Sequence, residues 1–214
     1  MQVLNVIRTK ENLKDKNSDI YLKAIQKRAI DNDIEVRIIA EYPGDGFVTK
    51  EFNKLRIKLF CSMYKNTIVL EPCEHEFNRL LTLDKFLTAQ AIFKVIEERY
   101  MFEKNKPVVA ILSRSSLIGR PLSNMLLDND YTVIQAHSKT SKDDLYILCN
   151  YADVIVTATG KDMTELFKCV SNKNIIDVSN DIRTGSENKL ADRKEIGKRT
   201  LDLLFEELKR LEQW

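Results

Sequence analysis

Ala110-Ile111-Leu112-Ser113-Arg114-Ser115-Ser116-Leu117-Ile118-Gly119-Arg120-Pro121 runs an apolar strand into a turn of small polar residues, and then into a helix that starts near Gly119. The strand spans Val108 to Leu112, and its unbroken apolar run suits a parallel sheet buried on both faces. Strand, short turn and helix in that order aim the helix's first N–H groups and its positive dipole end out of the turn, where an anion such as phosphate is favoured. Gly119 would let the helix pack close to the strand. The fingerprint Gly-x-Gly-x-x-Gly is absent, so by spacing alone Ser113 to Ser116 also reads as an ordinary strand-to-helix turn.

The alternation continues on both sides. Downstream, Thr132 to Ala136, Val154 to Thr157 and Ile175 to Val178 read as strands, with helices over Gly119 to Leu127 and Asp143 to Asn150. Lys194 to Leu211 predicts a closing amphipathic helix, with Ile196, Thr200, Leu203, Leu204, Leu208 and Leu211 on one side. Upstream, Val3 to Ile7 and Glu35 to Ala40 read as strands around a helix over Ser18 to Asn32, with Asn17 or Ser18 as its cap. Pro43-Gly44-Asp45-Gly46 marks a turn, Thr49 to Tyr64 predicts a helix, and the strand Thr67 to Leu70 is stopped by Pro72. Leu80 to Phe102 reads as a long helical stretch, with a break near Thr88, linking two lobes. The expectation is an α/β protein of two α/β lobes joined by long helices, the C-terminal lobe being a Rossmann-type parallel sheet. The boundaries are an N-terminal lobe over residues 1–104 that includes the linking helix, a Rossmann-type domain over 105–190, and a helix over 191–214 that packs back between the lobes.

Composition narrows the classes. The 34 basic and 32 acidic residues are interspersed and leave a net charge of +2, so no basic block supports nucleic-acid or membrane binding. No apolar run approaches the ~18 residues of a membrane span, and the charged N-terminus does not read as a signal peptide. Cys61, Cys73, Cys149 and Cys169 form no Cys-x-x-Cys pair and read as reduced, mostly buried small hydrophobes of a cytoplasmic protein. Cys73-Glu74-His75-Glu76 is too compact to close a tetrahedral metal site alone, and no metal is expected.

Four segments, in order, carry a resemblance. Ser113-Arg114-Ser115-Ser116-Leu117-Ile118-Gly119-Arg120-Pro121 resembles the Gly-Arg-Ser-x-x-Val-Gly-x-Pro turn of methylenetetrahydrofolate dehydrogenase/cyclohydrolases. Val133 to Thr140 resembles that family's strand ending in His-Ser-x-Thr, Ala152 to Gly160 its Ala-Asp-Ile-x-x-x-Ala-x-Gly, and Ile175 to Val178 its Val-Ile-Asp-Val. The resemblance implies an NADP site, with NAD as the other candidate. Arg114 and Ser138 would sit near the adenosine 2′-phosphate, a role that suits a forked guanidinium donor. Ser115, Ile118 and Gly119 would line the pyrophosphate and ribose, with Ser113 at the closest approach and His137 shaping the loop without a catalytic role. Thr159 and Gly160 would face the cofactor from the end of a strand. Ser113 departs from the family's glycine and places a Cβ at that closest approach.

The N-terminal lobe resembles the family's folate side more faintly. Tyr21 falls on the tyrosine that lies along the folate ring, and Lys27 on the second lysine of the same helix, so the resemblance implies these two as the catalytic candidates. The first lysine, the family's acid/base group, falls on Ile25, whose side chain cannot move a proton. Leu70 replaces the pterin-contacting glutamine, and Thr88 alone survives of Pro-Cys-Thr-Pro; with Tyr21 they are the substrate-side candidates. The Asp-Val-Asp-Gly segment is missing between Pro72 and Leu87, and Arg193 to Thr200 keeps only Gly197 and Thr200 of Pro-Gly-Gly-Val-Gly-Pro-Met-Thr. Three functions stay open: oxidation of methylenetetrahydrofolate by NADP with the cyclohydrolase step weak or absent, a non-catalytic or regulatory dinucleotide binder, and an oxidoreductase for another small ligand. The resemblance also implies a folate-type substrate and a homodimer.

Overall fold

The computed structural model describes residues 2–8, 16–40, 67–70, 79–80, 85–170, 172–183 and 188–212. The helix expected over Thr49 to Tyr64, the Pro43 to Gly46 turn and the Cys73 to Glu76 cluster lie outside the described residues. Two compact units divide the chain, one formed by Met1–Leu87 with Leu201–Trp214 and the other by Thr88–Thr200.

The first unit contains β1 (Gln2–Arg8), α1 (Lys16–Ile30), β2 (Ile34–Ala40), β3 (Thr67–Leu70), β4 (Arg79–Leu80) and β5 (Lys85–Phe86). Its sheet has the order β2-β1-β3-β4-β5. β1 runs parallel to β2 and β3, while β4 pairs antiparallel with both β3 and β5. On α1 the residues Leu22, Ile25 and Ala29 are buried, the three- and four-residue spacing that turns one helix face inward. Asp33, at a positive φ of 55°, closes the turn from α1 into β2, a conformation that aspartate tolerates better than most residues.

α2 (Leu87–Tyr100) starts with the last residue of the first unit. After it come β6 (Val108–Leu112), α3 (Gly119–Leu127), β7 (Thr132–Ala136), α4 (Lys142–Tyr151), β8 (Val154–Thr157), α5 (Thr164–Cys169), β9 (Asn174–Asp177), β10 (Lys189–Asp192) and α6 (Arg193–Glu212). The sheet order is β10-β9-β8-β6-β7, and every pairing is parallel. Such a sheet needs cover on both faces, which explains the unbroken apolar runs of β6 and β8. Ala110, Leu112, Ile155 and Ile175 face a core completed by Cys149, Phe167, Val170 and Ile182. Val109, Ile111, Val154, Val156 and Ile176 have the opposite parity and are also buried. Burial pushes the Cys149 thiol up to about 11, so it behaves as a small hydrophobe, whereas Cys169 is exposed.

Four short elements differ from expectation. Residues 79–80 and 85–86 are short strands, and the helix begins only at Leu87. Antiparallel pairing of Leu80 with Ile68 and with Lys85 overrides a local apolar spacing that suits a helix as well. The six-residue α5 is too short to show a period in sequence. The Lys189–Asp192 strand is half charged and gains its conformation from pairing with β9. Ile196, Thr200, Leu203 and Leu204 of α6 are buried as its spacing predicts, with Phe205 beside them.

Candidate functional site

The chain leaves β6 for β7 on one side, then returns across β6 to place β8, β9 and β10 on the other. In open parallel sheets, ligands bind outside the carboxyl ends of the strands where the order reverses, here the ends of β6 and β8. Nine predicted residues fall at the ends of three neighbouring strands: Ser113, Arg114, Ser115, Ile118 and Gly119 after β6, His137 and Ser138 after β7, and Thr159 and Gly160 after β8.

The first turn is held tightly. A Cβ at Gly119 would lie 2.2 Å from the Ser113 carbonyl oxygen and 2.6 Å from its carbon, so only glycine brings α3 this close to the strand end. The Ser115 hydroxyl accepts from the N–H groups of Ile118 (3.1 Å) and Gly119 (3.3 Å), and the Ser115 carbonyl accepts from Arg120 N–H (3.0 Å). Ser115 therefore occupies two donors that the sequence assigned to a ligand. The N–H groups of Ser116 and Leu117 have no hydrogen-bond partner among the described residues. Ser113 is nearly buried; its hydroxyl accepts from Ser115 N–H at 3.3 Å, and its carbonyl accepts from the Gln135 amide at 3.0 Å. Outside glycine, the positive φ values among the described residues belong to Asp33, Asp130 and Asn180, so Ser113 bears no strain from lacking the family's glycine.

Arg114 is exposed, and so are His137 and Ser138. The β6–β7 register pairs Leu112 with Ala136, so Arg114 and Ser138 each stand two residues past the last paired position. His137 Nδ1 accepts from Lys139 N–H at 3.1 Å, and Thr140 Oγ1 accepts from His137 N–H at 3.0 Å. The imidazole thus shapes a tight turn ahead of α4, whose first N–H groups are capped by Ser141 through Asp144 N–H.

After β8 the chain turns at Gly160, with φ +67°. Thr159 N–H and its hydroxyl both reach Asp181 Oδ2, at 2.8 and 2.9 Å, and the Thr157 hydroxyl reaches the same oxygen at 2.5 Å. Hydrogen bonds from Thr164 hold Asp162 below the usual carboxylate range, with Arg183 close by at 3.2 Å. Asp177 is fully buried against Lys189 Nζ (3.1 Å) and accepts from the N–H groups of Asp181 and Ile182. Sequence reasoning missed Asp181; the resemblance stops at Val178, and only the fold brings residues 157 and 181 together.

On the N-terminal side, Ile25 is completely buried and Lys23 and Lys27 are exposed. Tyr21 and Leu70 lie on α1 and β3, with their side chains outside the described residues, and Thr88 is half-buried at the second position of α2. The same unit holds a cavity of 480 Å³ between the end of α1 and α6, flanked by Arg28, Asp31, Asp202 and Phe205, and none of the predicted residues lines it. Among the described residues no cluster of three His, Cys, Asp or Glu could hold a metal, and no helix is long and apolar enough to cross a membrane.

Comparison with known proteins is consistent in direction. A family model described as tetrahydrofolate dehydrogenase/cyclohydrolase, NAD(P)-binding domain, matches residues 87–209. The bifunctional protein FolD of Clostridium botulinum (strain Okra / Type B1) is 32% identical over 173 residues, covering 76% of this chain and 57% of that protein. FolD of Picrophilus torridus is 38% identical over 89 residues, 42% of this chain and 30% of the relative. The chain thus spans about half or less of the length of these curated relatives. Among solved structures, the Trypanosoma brucei methylenetetrahydrofolate dehydrogenase-cyclohydrolase, complexed with NADP cofactor and inhibitor, superposes with a TM-score of 0.70. It shares 17% identity, and the alignment covers 100% of this chain and 88% of that one. The Bombyx mori methylenetetrahydrofolate dehydrogenase gives a TM-score of 0.68 at 20% identity, covering 99% and 87%.

Proposed function

The chain belongs to the tetrahydrofolate dehydrogenase/cyclohydrolase family and carries its NAD(P)-binding domain, and from that membership we propose that it oxidises methylenetetrahydrofolate with NADP while performing the cyclohydrolase step weakly or not at all. Bound NADP would supply the hydride acceptor, taking a hydride from the methylene carbon of the substrate and leaving the methenyl cation. That step needs mainly that donor and acceptor carbons be held together. The observation that supports the reading is the β6–β7 register, by which Arg114 and Ser138 stand at equivalent positions two residues beyond the ends of neighbouring strands, both exposed.

In this reading Arg114 and Ser138 take the adenosine 2′-phosphate, and the unpartnered N–H groups of Ser116 and Leu117 face the pyrophosphate. Ser113, Ser115, Ile118 and Gly119 shape that turn, His137 shapes the next, and Thr159 and Gly160 bound the cofactor after β8. Tyr21, Lys27, Leu70 and Thr88 act on the side of a folate-type substrate, with Tyr21 and Lys27 as the catalytic pair. The hydrolytic step needs a proton acceptor for water. Ile25, at the position of the family's lysine, is fully buried and supplies none.

Ile25 also favours a second reading, a dinucleotide binder without catalysis. The rate of NADP reduction at saturating methylenetetrahydrofolate, with NAD in parallel, separates the two. Substrate-dependent turnover favouring NADP is expected. NADP binding without turnover would leave the non-catalytic binder, and folded protein that binds neither dinucleotide would overturn both.

A further inference from the structure

Asp181 is a buried carboxylate that the proposed chemistry does not use. It is 1% exposed and belongs to no ion pair among the described residues. Its Oδ2 gathers three donors, the Thr157 hydroxyl at 2.5 Å, Thr159 N–H at 2.8 Å and the Thr159 hydroxyl at 2.9 Å. Its Oδ1 is buried and has no hydrogen-bond partner among the described residues. A buried polar atom left unpaired costs stability, so fold stability alone does not account for a carboxylate here.

The contacts around it form one connected support. Lys189 holds Asp177, Asp177 Oδ1 accepts from Asp181 N–H at 2.9 Å, and the Asp181 carbonyl accepts from Met163 N–H at 2.8 Å. The Asp181 backbone is thereby fixed on both sides, and its carboxylate fixes the main chain at Thr159. Lys161 N–H in turn donates to Thr159 Oγ1 at 3.1 Å, so the chain on either side of Gly160 is set from one hydroxyl. Every member lies at or after the end of β8 or β9 or on β10, away from the β6–β7 side where Arg114 and Ser138 stand.

A dinucleotide laid across the strand-order reversal spans both sides. With its 2′-phosphate end over β6 and β7, its nicotinamide half would reach the ends of β8 and β9. We propose that Asp181 is the positioning residue for that half, holding the Thr159–Gly160 turn in the shape that receives the nicotinamide ribose and ring. The inference rests on the dinucleotide reading given above and adds the residue that orders the turn.

The test compares two ligands on the intact chain, NADP and 2′,5′-ADP, the latter carrying only the 2′-phosphate half. Asp181→Ala is expected to weaken NADP by about tenfold or more and 2′,5′-ADP by no more than roughly twofold. Asp181→Asn keeps an acceptor oxygen for Thr157 and Thr159 and is expected to stay within about threefold of the parent for NADP. Unchanged NADP affinity in Asp181→Ala, or equal losses for both ligands, would overturn the positioning role. If Asp181→Ala does not fold, the near-isosteric Thr157→Val, which frees the carboxylate from β8, decides: a loss confined to NADP supports the proposal, and equal losses overturn it. Parent protein that binds neither ligand would instead bring down the dinucleotide reading itself.

Discussion

Arg114 is a surface arginine by exposure, and the proposed reading makes it the residue that meets the 2′-phosphate. Hydrogen bonds to a charged group contribute about 1.5–3 kcal/mol. Arg114→Ala should therefore weaken NADP by roughly ten- to a hundredfold and leave NAD nearly untouched. Parallel titrations with the two cofactors check this, and equal losses would remove Arg114 from the 2′-phosphate. Ile25 poses the opposite question, since restoring the family's lysine by Ile25→Lys places an ammonium where no solvent reaches. Burial lowers the pKa of a lysine below its unfolded value, so the unfolded chain binds more protons and stability rises with pH toward ~10.4. The variant should lose several kcal/mol near neutrality, on the order of ~3–5, and regain part of it in alkaline buffer. Denaturant midpoints at pH 7 and pH 10 would show it; a stable variant with hydrolytic turnover would mean that α1 presents this position to solvent and substrate.

Among the elements, α3 depends on one missing side chain. The predicted Cβ of Gly119→Ala meets backbone of Ser113 and Arg114, which cannot swing aside as a flexible side chain would. The substitution should cost about 1–3 kcal/mol or more and lower dinucleotide affinity, because α3 and its N–H groups move off the end of β6. A thermal midpoint and an NADP titration on the same sample test both halves, and an unaffected midpoint would contradict the close approach. The strands β6, β8 and β9 were legible because burial on both faces demands unbroken Val and Ile. Residues 79–80 and 85–86 were not, since a pair of two-residue strands exists only by its hydrogen bonds to β3 and to each other. The same holds for Lys189 to Asp192, whose lysine and aspartate look like surface until β9 is beside them.

For the whole molecule, the dinucleotide reading predicts linkage between ligand and folding. NADP at about a hundred times its Kd should stabilise the unit that binds it by about 2.7 kcal/mol, a rise of roughly 5–10 °C in its melting transition. NAD should match that rise only at higher concentration, and a transition indifferent to both cofactors would argue against a site at the ends of β6 and β8. What the sequence by itself determined was local: which segments were buried strands, where a helix had to start, and that Arg114, Ser138 and Thr159 follow strand ends. Strand burial leaves its mark on every residue of a run, and a strand-to-helix turn leaves its mark on the few residues that form it. Tertiary structure alone decided that β8 returns beside β6 and that Ser115 takes donors otherwise free for a ligand. It also brought Asp181 to Thr157 and Thr159 across 24 and 22 residues of chain. Contacts of that separation depend on how the sheet closes, and no local period or motif records them.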